Sequence, residues 1–323
     1  MREMLDLGVV PLRRMNGRGG FAPHLSLQFG AHLFSIDTSR SPKGSIQPEA
    51  YLITHAHSDH NGKSAMLSPL GVASEETARA LEIRHGRRFN GRTFHVGEEI
   101  EVCGVTIKTH PTGHTIGSCA FSWETDVGSR ILVTGDLKDY TSLPRADLLV
   151  AEANYGDPWD PSCCFEDDLG RFWEALEERA TFGAYAFGKA QRAVALMRGM
   201  GYAEAIGMDP QSLALTRELL PKAGPLVDIA EGGAKANVVA PSILPHVGGP
   251  KYFLTGRRDN RYNRIIISDH LDFRGLMRMF EHVSPEAAIV YHPQGPRSGL
   301  LASHLSRLGL PALSLDQIRN VFR

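Results

Sequence analysis

The chain has 323 residues, of which 42% are hydrophobic and 22% are charged, with a formal net charge of −1. This composition is that of a globular protein, and the neutral balance gives no overall electrostatic attraction for nucleic acid. No run of about 18 apolar residues predicts a transmembrane helix, and the charged N-terminus lacks the apolar core of a signal peptide. The four cysteines do not form a disulfide framework. We therefore expect a cytoplasmic protein with no membrane partner.

In the first half of the chain, short apolar segments separated by Gly and Pro predict strands. They lie at 25–29, 32–36, 50–53, 71–73, 101–109, 120–123, 131–134 and 148–151. Ser74 is a good N-cap followed by Glu75 and Glu76, so a helix is expected to begin there and to end near residue 84.

The middle of the chain has a different pattern, in which apolar residues recur every three to four positions. This spacing predicts helices at 165–180, 189–200 and 211–220,. Strands are expected between and after them at 184–187, 203–206 and 226–229. Alternation of strand and helix is typical of a small parallel α/β unit. The chain then continues with a predicted strand at 264–268, a helix at 273–282, a strand at 287–291 and a helix from 296.

One short segment carries most of the chemical information. His55, His57, Asp59 and His60 follow the apolar residues 51–53 directly. Imidazole and carboxylate groups are the ligands that suit zinc and similar divalent ions. Four such groups at the end of a buried strand have no packing role, so the segment predicts a metal site rather than a polar surface turn.

Three later residues also stand at the ends of predicted strands. His114 lies between glycines, Asp136 follows the apolar residues 131–133, and His292 follows 287–290. Taken alone, each has an ordinary alternative as a turn residue, a helix cap or a hydrogen-bonded histidine. Together with the first segment, they predict one shared metal site. His110 competes with His114 as a ligand.

The ordered set of these motifs resembles the metallo-β-lactamase superfamily of dinuclear metal hydrolases. The segments around Glu152 (149–156) and His270 (267–273) look like two elements of its β-CASP nuclease group. With residues 186–192, they look most like the putative exonucleases associated with DNA ligase, and mRNA 3′-end processing factors belong to the same group. The resemblance covers roughly residues 20–300, and its Gly-His-x-x-Gly context favours His114 over His110.

The resemblance implies an α/β protein with an αββα sandwich and an inserted small α/β domain. The implied division is a first sandwich part at 1–156, a β-CASP-like insertion at 157–262 and a second sandwich part at 263–323. The active site is then expected in the cleft between the two domains.

The resemblance also implies a role for each site residue. Two zinc ions are expected, with manganese as the alternative metal. One ion is expected to bind to His55, His57 and His114, and the other to Asp59, His60 and His292. Asp136 is expected to bridge the two ions. His270 is expected to protonate the leaving oxygen and Glu152 to orient it, with Asp59 as a third catalytic residue. Asp37 is expected to support the metal loop. The expected substrate contacts are Lys189, Gln191, Arg192 and Ser268. The remaining histidines, His24 among them, are expected to be ordinary surface or core residues.

The implied activity is a zinc-dependent nuclease, acting as an exonuclease on DNA or RNA through a hydroxide activated by two ions. Two cations roughly 3.5–4 Å apart lower the pKa of water and screen the phosphate charge. Two basic clusters, 84–92 and 257–264, suit either phosphate contacts or a solvated face. A hydrolase of small esters or thioesters and a non-catalytic nucleic-acid-binding subunit are the alternatives. The sequence leaves open the choice between DNA and RNA, the polarity, homo-oligomer formation and any DNA repair or RNA processing partners.

Overall fold

The structure is a computed structural model that describes residues 1–15, 20–21, 24–60, 64–258, 261–292 and 295–322. Contacts divide the chain into two compact units. The first contains Met1–Asp160 and His270–Arg323, and the second contains Pro161–Asp269. Asp259 and Asn260, in the second basic cluster, lie outside the described residues.

The chain passes through the first unit, then the second, and returns to the first. The first passage contains α1 (Arg2–Asp6), β1 (Val9–Arg14), β2 (Leu25–Phe29), β3 (His32–Ile36), β4 (Ala50–Leu52), β5 (Gly71–Ser74), α2 (Glu75–His85), β6 (Arg92–Phe94), β7 (Glu99–Val102), β8 (Val105–Pro111), β9 (Cys119–Glu124), β10 (Arg130–Val133) and β11 (Leu148–Glu152). The second unit contains α3 (Leu169–Glu177), β12 (Thr181–Gly183), α4 (Lys189–Gly199), β13 (Ile206–Met208), α5 (Pro210–Leu219), β14 (Leu226–Asp228), β15 (Ala236–Val239), β16 (Lys251–Leu254) and β17 (Asn263–Ile265). The return contains α6 (Phe273–Val283), β18 (Ala287–Tyr291), α7 (Arg297–Arg307), β19 (Ala312–Ser314) and β20 (Val321–Phe322).

In the described residues of the first unit, two seven-stranded sheets share one apolar core. Their strand orders are β20-β1-β2-β3-β4-β5-β6 and β19-β18-β11-β10-β9-β8-β7. Leu27 and Phe34 of the first sheet pack with Phe121 and Ile131 of the second. The outer face of the second sheet packs against α6 and α7, and α2 lies against β5 and β6 of the first. The layers are therefore helix, sheet, sheet and helix, which confirms the predicted α/β class.

The second unit is built on a parallel sheet, as its alternating pattern predicts. Its described strands are ordered β14-β13-β15-β12-β16-β17, and every neighbouring pair is parallel. Phe172 of α3, Val194 of α4 and Leu213 of α5 belong to one buried cluster with Phe182 and Met208 of the sheet. Three amphipathic helices thus bury the apolar surface of this small sheet.

The structure differs from the predicted elements at several points, and β15 and β16 were not predicted. The strand predicted at 101–109 is the hairpin of β7 and β8, because Cys103 and Gly104 both have left-handed φ values, of 51° and 82°. Such a pair forms the tight turn that hairpins favour. The strand predicted at 184–187 is wrong, because β12 ends at Gly183 and residues 184–187 are not in a strand. The sandwich was predicted to resume at 263, but β17 begins there and pairs with β16 of the second unit.

The described helices are short, and the longest contain 11 residues. None of them has the length and the apolar character that crossing a membrane requires.

The shared core of the two sheets predicts a clear difference between two leucine variants. Leu27 is fully buried, whereas Leu308 is 64% exposed. Leu27→Ala should lower the free energy of unfolding by about 2–5 kcal/mol, because it leaves a cavity. Leu308→Ala should change it by less than about 0.5 kcal/mol. Urea unfolding followed by circular dichroism measures both, and equal losses would contradict this packing.

Candidate metal centre

The candidate site residues of the first unit lie at the carboxyl ends of strands. Asp37 follows β3, His55 lies beyond β4, His114 beyond β8 and Asp136 beyond β10, and Glu152 ends β11. Strands β3 and β4 are parallel, and so are β10 and β11. β8 and β10 are each antiparallel to β9, so they run in the same direction. Polar side chains thus lie together at one end of the strands, where the backbone N–H and C=O groups no longer pair with neighbouring strands.

One group of side chains has the arrangement of a metal site. His55, His57, His114 and Asp136 each offer one ligand atom, and all four atoms lie within 4.8 Å of one another. His114 Nε2 is 3.0 Å from His57 Nδ1 and 3.7 Å from Asp136 Oδ2. Ligands of a tetrahedral zinc ion are separated by about 3.3 Å, as its bond lengths of about 2.0–2.1 Å require. The residues therefore fit a zinc ion.

Hydrogen bonds fix the orientation of His55. The Asp37 carboxylate accepts hydrogen bonds from Thr54 N at 2.8 Å and from Thr54 Oγ1 at 2.6 Å. Thr54 Oγ1 in turn lies 3.0 Å from His55 Nδ1. This leaves Nε2 of His55 for another ligand, and that buried atom has no hydrogen-bond partner among the described residues. A carboxylate behind a ligand histidine sets its tautomer in the same way at known metal sites.

A second group shares Asp136 with the first. His60 Nε2 lies 3.2 Å from Asp136 Oδ1, and His60 Nδ1 lies 3.1 Å from Asp37 Oδ2. The geometry at Nε2 is not that of a hydrogen bond, so the two atoms could face a common cation. His24 joins this group, because His24, Asp37 and His60 also have ligand atoms within 4.8 Å. Oδ1 of Asp136 thus faces His60, whereas Oδ2 faces His55 and His114.

Asp59 and His292 complete the predicted second set, and the structure places them differently from His60. Neither belongs to a described group of three or more candidate ligand atoms within 4.8 Å. Asp59 is exposed, and its backbone carbonyl lies 2.9 Å from His24 Nε2. His292 is half-buried and follows β18 directly. Their predicted coordination stays a prediction.

Charge balance in the site depends on Asp136. Burial lowers the pKa of His55 well below its ordinary value, which favours the neutral form of the ring that binds metals,. Burial acts in the same direction on His60, but the carboxylates of Asp136 and Asp37 outweigh it and raise the pKa of His60. Burial would raise the pKa of Asp136, yet His60 and the other histidines hold it well below its usual range. A cation bound between His60 and Asp136 would take the place of the His60 proton.

His270 and Glu152 form a pair beside the first group. His270 Nδ1 lies 3.0 Å from Glu152 Oε2 and 3.9 Å from Asp136 Oδ2. Glu152 is fully buried, and burial raises its pKa. Glu152 Oε1 accepts a hydrogen bond from Leu137 N at 2.7 Å, and Oε2 accepts one from Asn154 Nδ2, also at 2.7 Å. The carboxylate is therefore held against the imidazole, and the orienting role of Glu152 stays a prediction.

Two of the five described non-glycine residues with a left-handed φ lie at this site. Asp37 and His24 have left-handed φ values of 50° and 60°, which are uncommon outside glycine and recur at functional sites. Sequence reasoning grouped His24 with the ordinary histidines, although its ring packs 4.4 Å from that of His60. Its position directly before β2 is the signal that could have revealed it. Because β2 and β3 are antiparallel, the start of β2 lies beside the end of β3 and Asp37.

The four predicted substrate contacts belong to the second unit and have protein partners. Lys189 Nζ is buried and donates to Asp269 Oδ1 at 2.7 Å, and Arg192 Nη2 donates to Asp167 Oδ2 at 2.6 Å. Gln191 is buried, and its side chain caps α4 by accepting a hydrogen bond from the Gly188 amide. Ser268 is also buried. These partners stabilise the start of α4 and the segment before His270, and substrate contact by these residues stays a prediction.

The first basic cluster contributes one residue to the site. Arg84, in the last turn of α2, donates a hydrogen bond to the carbonyl of Ala56, between His55 and His57. Burial lowers the pKa of Arg84. This arginine therefore stabilises the histidine loop rather than facing solvent. His110, the predicted rival of His114, lies outside the described ligand groups, and its Nε2 is 2.8 Å from Ser122 Oγ.

Comparisons with known proteins give distant similarity. No family model matches the chain. A protein named "Probable DNA ligase" from Opitutus terrae is 27% identical over 276 residues, which cover 74% of this chain and 26% of that protein. The chain thus spans about a quarter of the length of this relative. A crystal structure of a protein of unknown function from Enterococcus faecalis V583 superposes with a TM-score of 0.60 at 13% identity. The superposition covers 87% of this chain and 93% of the other, and it shows a shared fold.

The geometry of the first group predicts which histidine binds metal. His114→Ala should weaken zinc binding by more than about 100-fold, since loss of an outer partner alone costs 10–100-fold. His110→Ala is the matched control and should keep wild-type affinity. Competition with a chromogenic chelator measures the affinity, and elemental analysis gives the bound zinc. A loss of zinc in His110→Ala, with none in His114→Ala, would contradict the assignment.

The turn before Asp136 predicts a second difference. Gly135 has a φ of +62°, and a Cβ there would lie 2.5 Å from Thr54 Oγ1. Gly128 also has a left-handed φ, but its Cβ would meet nothing within 4 Å. Gly128→Ala should cost about 1–2 kcal/mol of stability through backbone strain alone. Gly135→Ala should cost about 1–3 kcal/mol more because of the clash, and it should also reduce bound zinc. Thermal unfolding and zinc content test both variants, and identical behaviour would contradict this view of the turn.

Proposed function

We propose that the protein is a zinc-dependent nuclease that hydrolyses phosphodiester bonds of DNA or RNA and acts as an exonuclease. The observation that carries the proposal is the position of Asp136, whose Oδ1 faces His60 and whose Oδ2 faces His55 and His114, with the His270–Glu152 pair beside them. We further propose that the chain is a member of the metallo-β-lactamase superfamily and of its β-CASP group, with Pro161–Asp269 as the inserted domain.

We propose that these residues bind two divalent ions. His55, His57, His114 and Asp136 would hold one of them, and His60 with Asp136 would hold the other, together with Asp59 and His292. When bound, two such cations make water acidic enough to ionise near neutral pH and neutralise charge on a phosphodiester. This chemistry is needed because an anionic nucleophile must approach an anionic phosphate. Asp136 would keep the two sets of ligands together. Asp37 would fix the ring of His55 through Thr54 and the ring of His60 directly.

His270 is proposed to give a proton to the leaving sugar oxygen. Its Nδ1 faces Glu152 at 3.0 Å, and Nε2 is proposed as the atom that gives the proton to the substrate. A carboxylate beside Nδ1 stabilises positive charge on the ring and fixes its plane. Glu152 is fixed in turn by the Leu137 amide and Asn154. Positioned proton transfer of this kind contributes about 10²–10⁴-fold to a rate.

The comparison with a protein named "Probable DNA ligase" supports nucleic acid as the substrate class and makes DNA the first substrate to test. The chain aligns with only about a quarter of that protein, so the ligase activity in its name is not proposed here. The cytoplasmic location, the homo-oligomer and the DNA repair or RNA processing partners predicted from the sequence remain part of this proposal.

Cleavage of end-labelled nucleic acids tests the proposal directly. Single- and double-stranded DNA and RNA would be incubated with the wild-type protein in zinc or manganese, and with His270→Ala. We expect stepwise shortening from one end by the wild type and a loss of about 10²–10⁴-fold in rate in the variant. Denaturing gels report the substrate and the polarity, and a chelator should abolish the reaction.

The matched control is His95→Ala, since His95 is exposed and pairs only weakly with Glu75 at the surface,. It should cleave at the wild-type rate. Ester hydrolysis without any phosphodiester cleavage, by protein with bound zinc, would contradict the nuclease and favour a small-ester hydrolase. An equal rate in wild type and His270→Ala would remove the proposed role of His270.

A further inference from the structure

Among the described residues of the first unit, Trp159 is a large aromatic side chain that lies outside the apolar core. Trp159 is 71% exposed. The guanidinium of Arg307, in the last turn of α7, lies over its ring at 5.7 Å from the centroid. Single exposed apolar residues are common, but a tryptophan with an arginine against its ring joins an open π surface with a cation. This combination is what single-stranded nucleic acid requires, because its bases stack and its phosphates are anionic.

A series of contacts links this pair to the candidate active site. Tyr155 packs against His270, with ring centroids 6.2 Å apart. The guanidinium of Arg297, at the start of α7, lies 5.5 Å from the centre of the Tyr155 ring and pairs with Asp160 at 3.7 Å. Asp160 is the neighbour of Trp159 in the chain. Trp159 is therefore joined to His270 through its chain neighbour Asp160, through Arg297 and through Tyr155.

The segment that carries Trp159 is held in place rather than loose. Arg297 Nη1 donates to the carbonyl of Asn154. A Cβ at Gly156 would lie only 3.0 Å from Leu301 Cβ, so the backbone packs closely on α7. Asp157 Oδ1 accepts a hydrogen bond from the Trp159 amide at 2.9 Å. A fixed backbone lowers the entropy cost of stacking a base on the ring.

We propose that Trp159 and Arg307 form a stacking platform for the single-stranded part of a nucleic-acid substrate whose scissile phosphodiester lies near His270. This inference rests on the proposed nuclease function. Trp159 would stack on a base, and Arg307 would contact the adjoining phosphate. Asp160 neutralises Arg297, so Arg297 acts as a positioning residue that holds Tyr155 and the segment 154–160 in place. The platform reads no base identity, because every base has a π face.

Steady-state kinetics on two substrates test the platform. A single-stranded oligonucleotide reaches Trp159, whereas bis(4-nitrophenyl) phosphate contains the phosphodiester alone. Trp159→Ala should raise KM for the oligonucleotide by about 5- to 150-fold with little change in kcat, which corresponds to the loss of one stacked base. Hydrolysis of bis(4-nitrophenyl) phosphate should be unchanged, and Trp159→Phe should retain most of the wild-type KM.

The matched control is Trp173→Ala, because Trp173 is a partly exposed tryptophan on α3 of the second unit. It should leave KM for the oligonucleotide unchanged. An unchanged KM in Trp159→Ala would overturn the platform. An equal loss on both substrates would also overturn it, since the residue would then support the fold and not the strand.

A fluorescence measurement separates failure of the platform from failure of the proposed nuclease. In Trp173→Phe protein the remaining tryptophans are Trp159 and Trp123, which is buried. With chelator present to prevent cleavage, a single-stranded oligonucleotide should quench the emission of this protein, and Trp159→Phe in the same background should abolish the quenching. If the wild type cleaves nothing but the quenching occurs, the platform stands and the nuclease does not. If no oligonucleotide quenches the emission, the platform is overturned, and the exposed ring would suit a protein partner instead.

Discussion

A carboxylate with almost no contact with solvent lies at the candidate metal centre, and the surrounding structure must balance its charge. Asp136 is 4% exposed, and His55, His60, His114 and His270 each place a ring nitrogen between 3.2 and 3.9 Å from its oxygens. An unpaired buried charge costs far more than a domain's net stability can supply. Histidine protons can balance it in part, and bound cations can balance it fully. The buried negative charge of Asp136 therefore favours bound cations, and the histidines around it are suitable ligands for metal cations.

The fold meets this demand by bringing strand ends together. Asp136 follows β10, and its histidine partners come from the loops after β4 and β8 and from the segment before α6. Asp37, at the end of β3, holds the ring of His55 through Thr54 and contacts the ring of His60 directly. Strain at left-handed residues is accepted there because these contacts over-determine the backbone. The rigid sandwich thus fixes ligands that lie far apart in the sequence.

Much of this arrangement could be predicted from the sequence, and the reasons for success and failure are physical. Histidines directly after an apolar strand have few roles besides metal binding, so His55 and His57 could be recognised from a local pattern. His24 could not, because its place beside Asp37 depends on the antiparallel pairing of β2 and β3. The partners of Lys189 and Arg192 were also hidden, since both pair with carboxylates that are distant in the sequence. Edge strands such as β20 are too short for their apolar pattern to predict a strand.

The central claim is that two cations share Asp136. Anomalous X-ray scattering from crystals of the zinc-loaded protein, recorded above and below the zinc absorption edge, tests it most directly. One peak is expected among His55, His57, His114 and Asp136. A second peak is expected between His60 and the other oxygen of Asp136, about 3.5–4 Å from the first peak. Peaks that avoid Asp136, or an Asp136 carboxylate hydrogen-bonded only to protonated histidines in protein soaked with excess zinc, would contradict it.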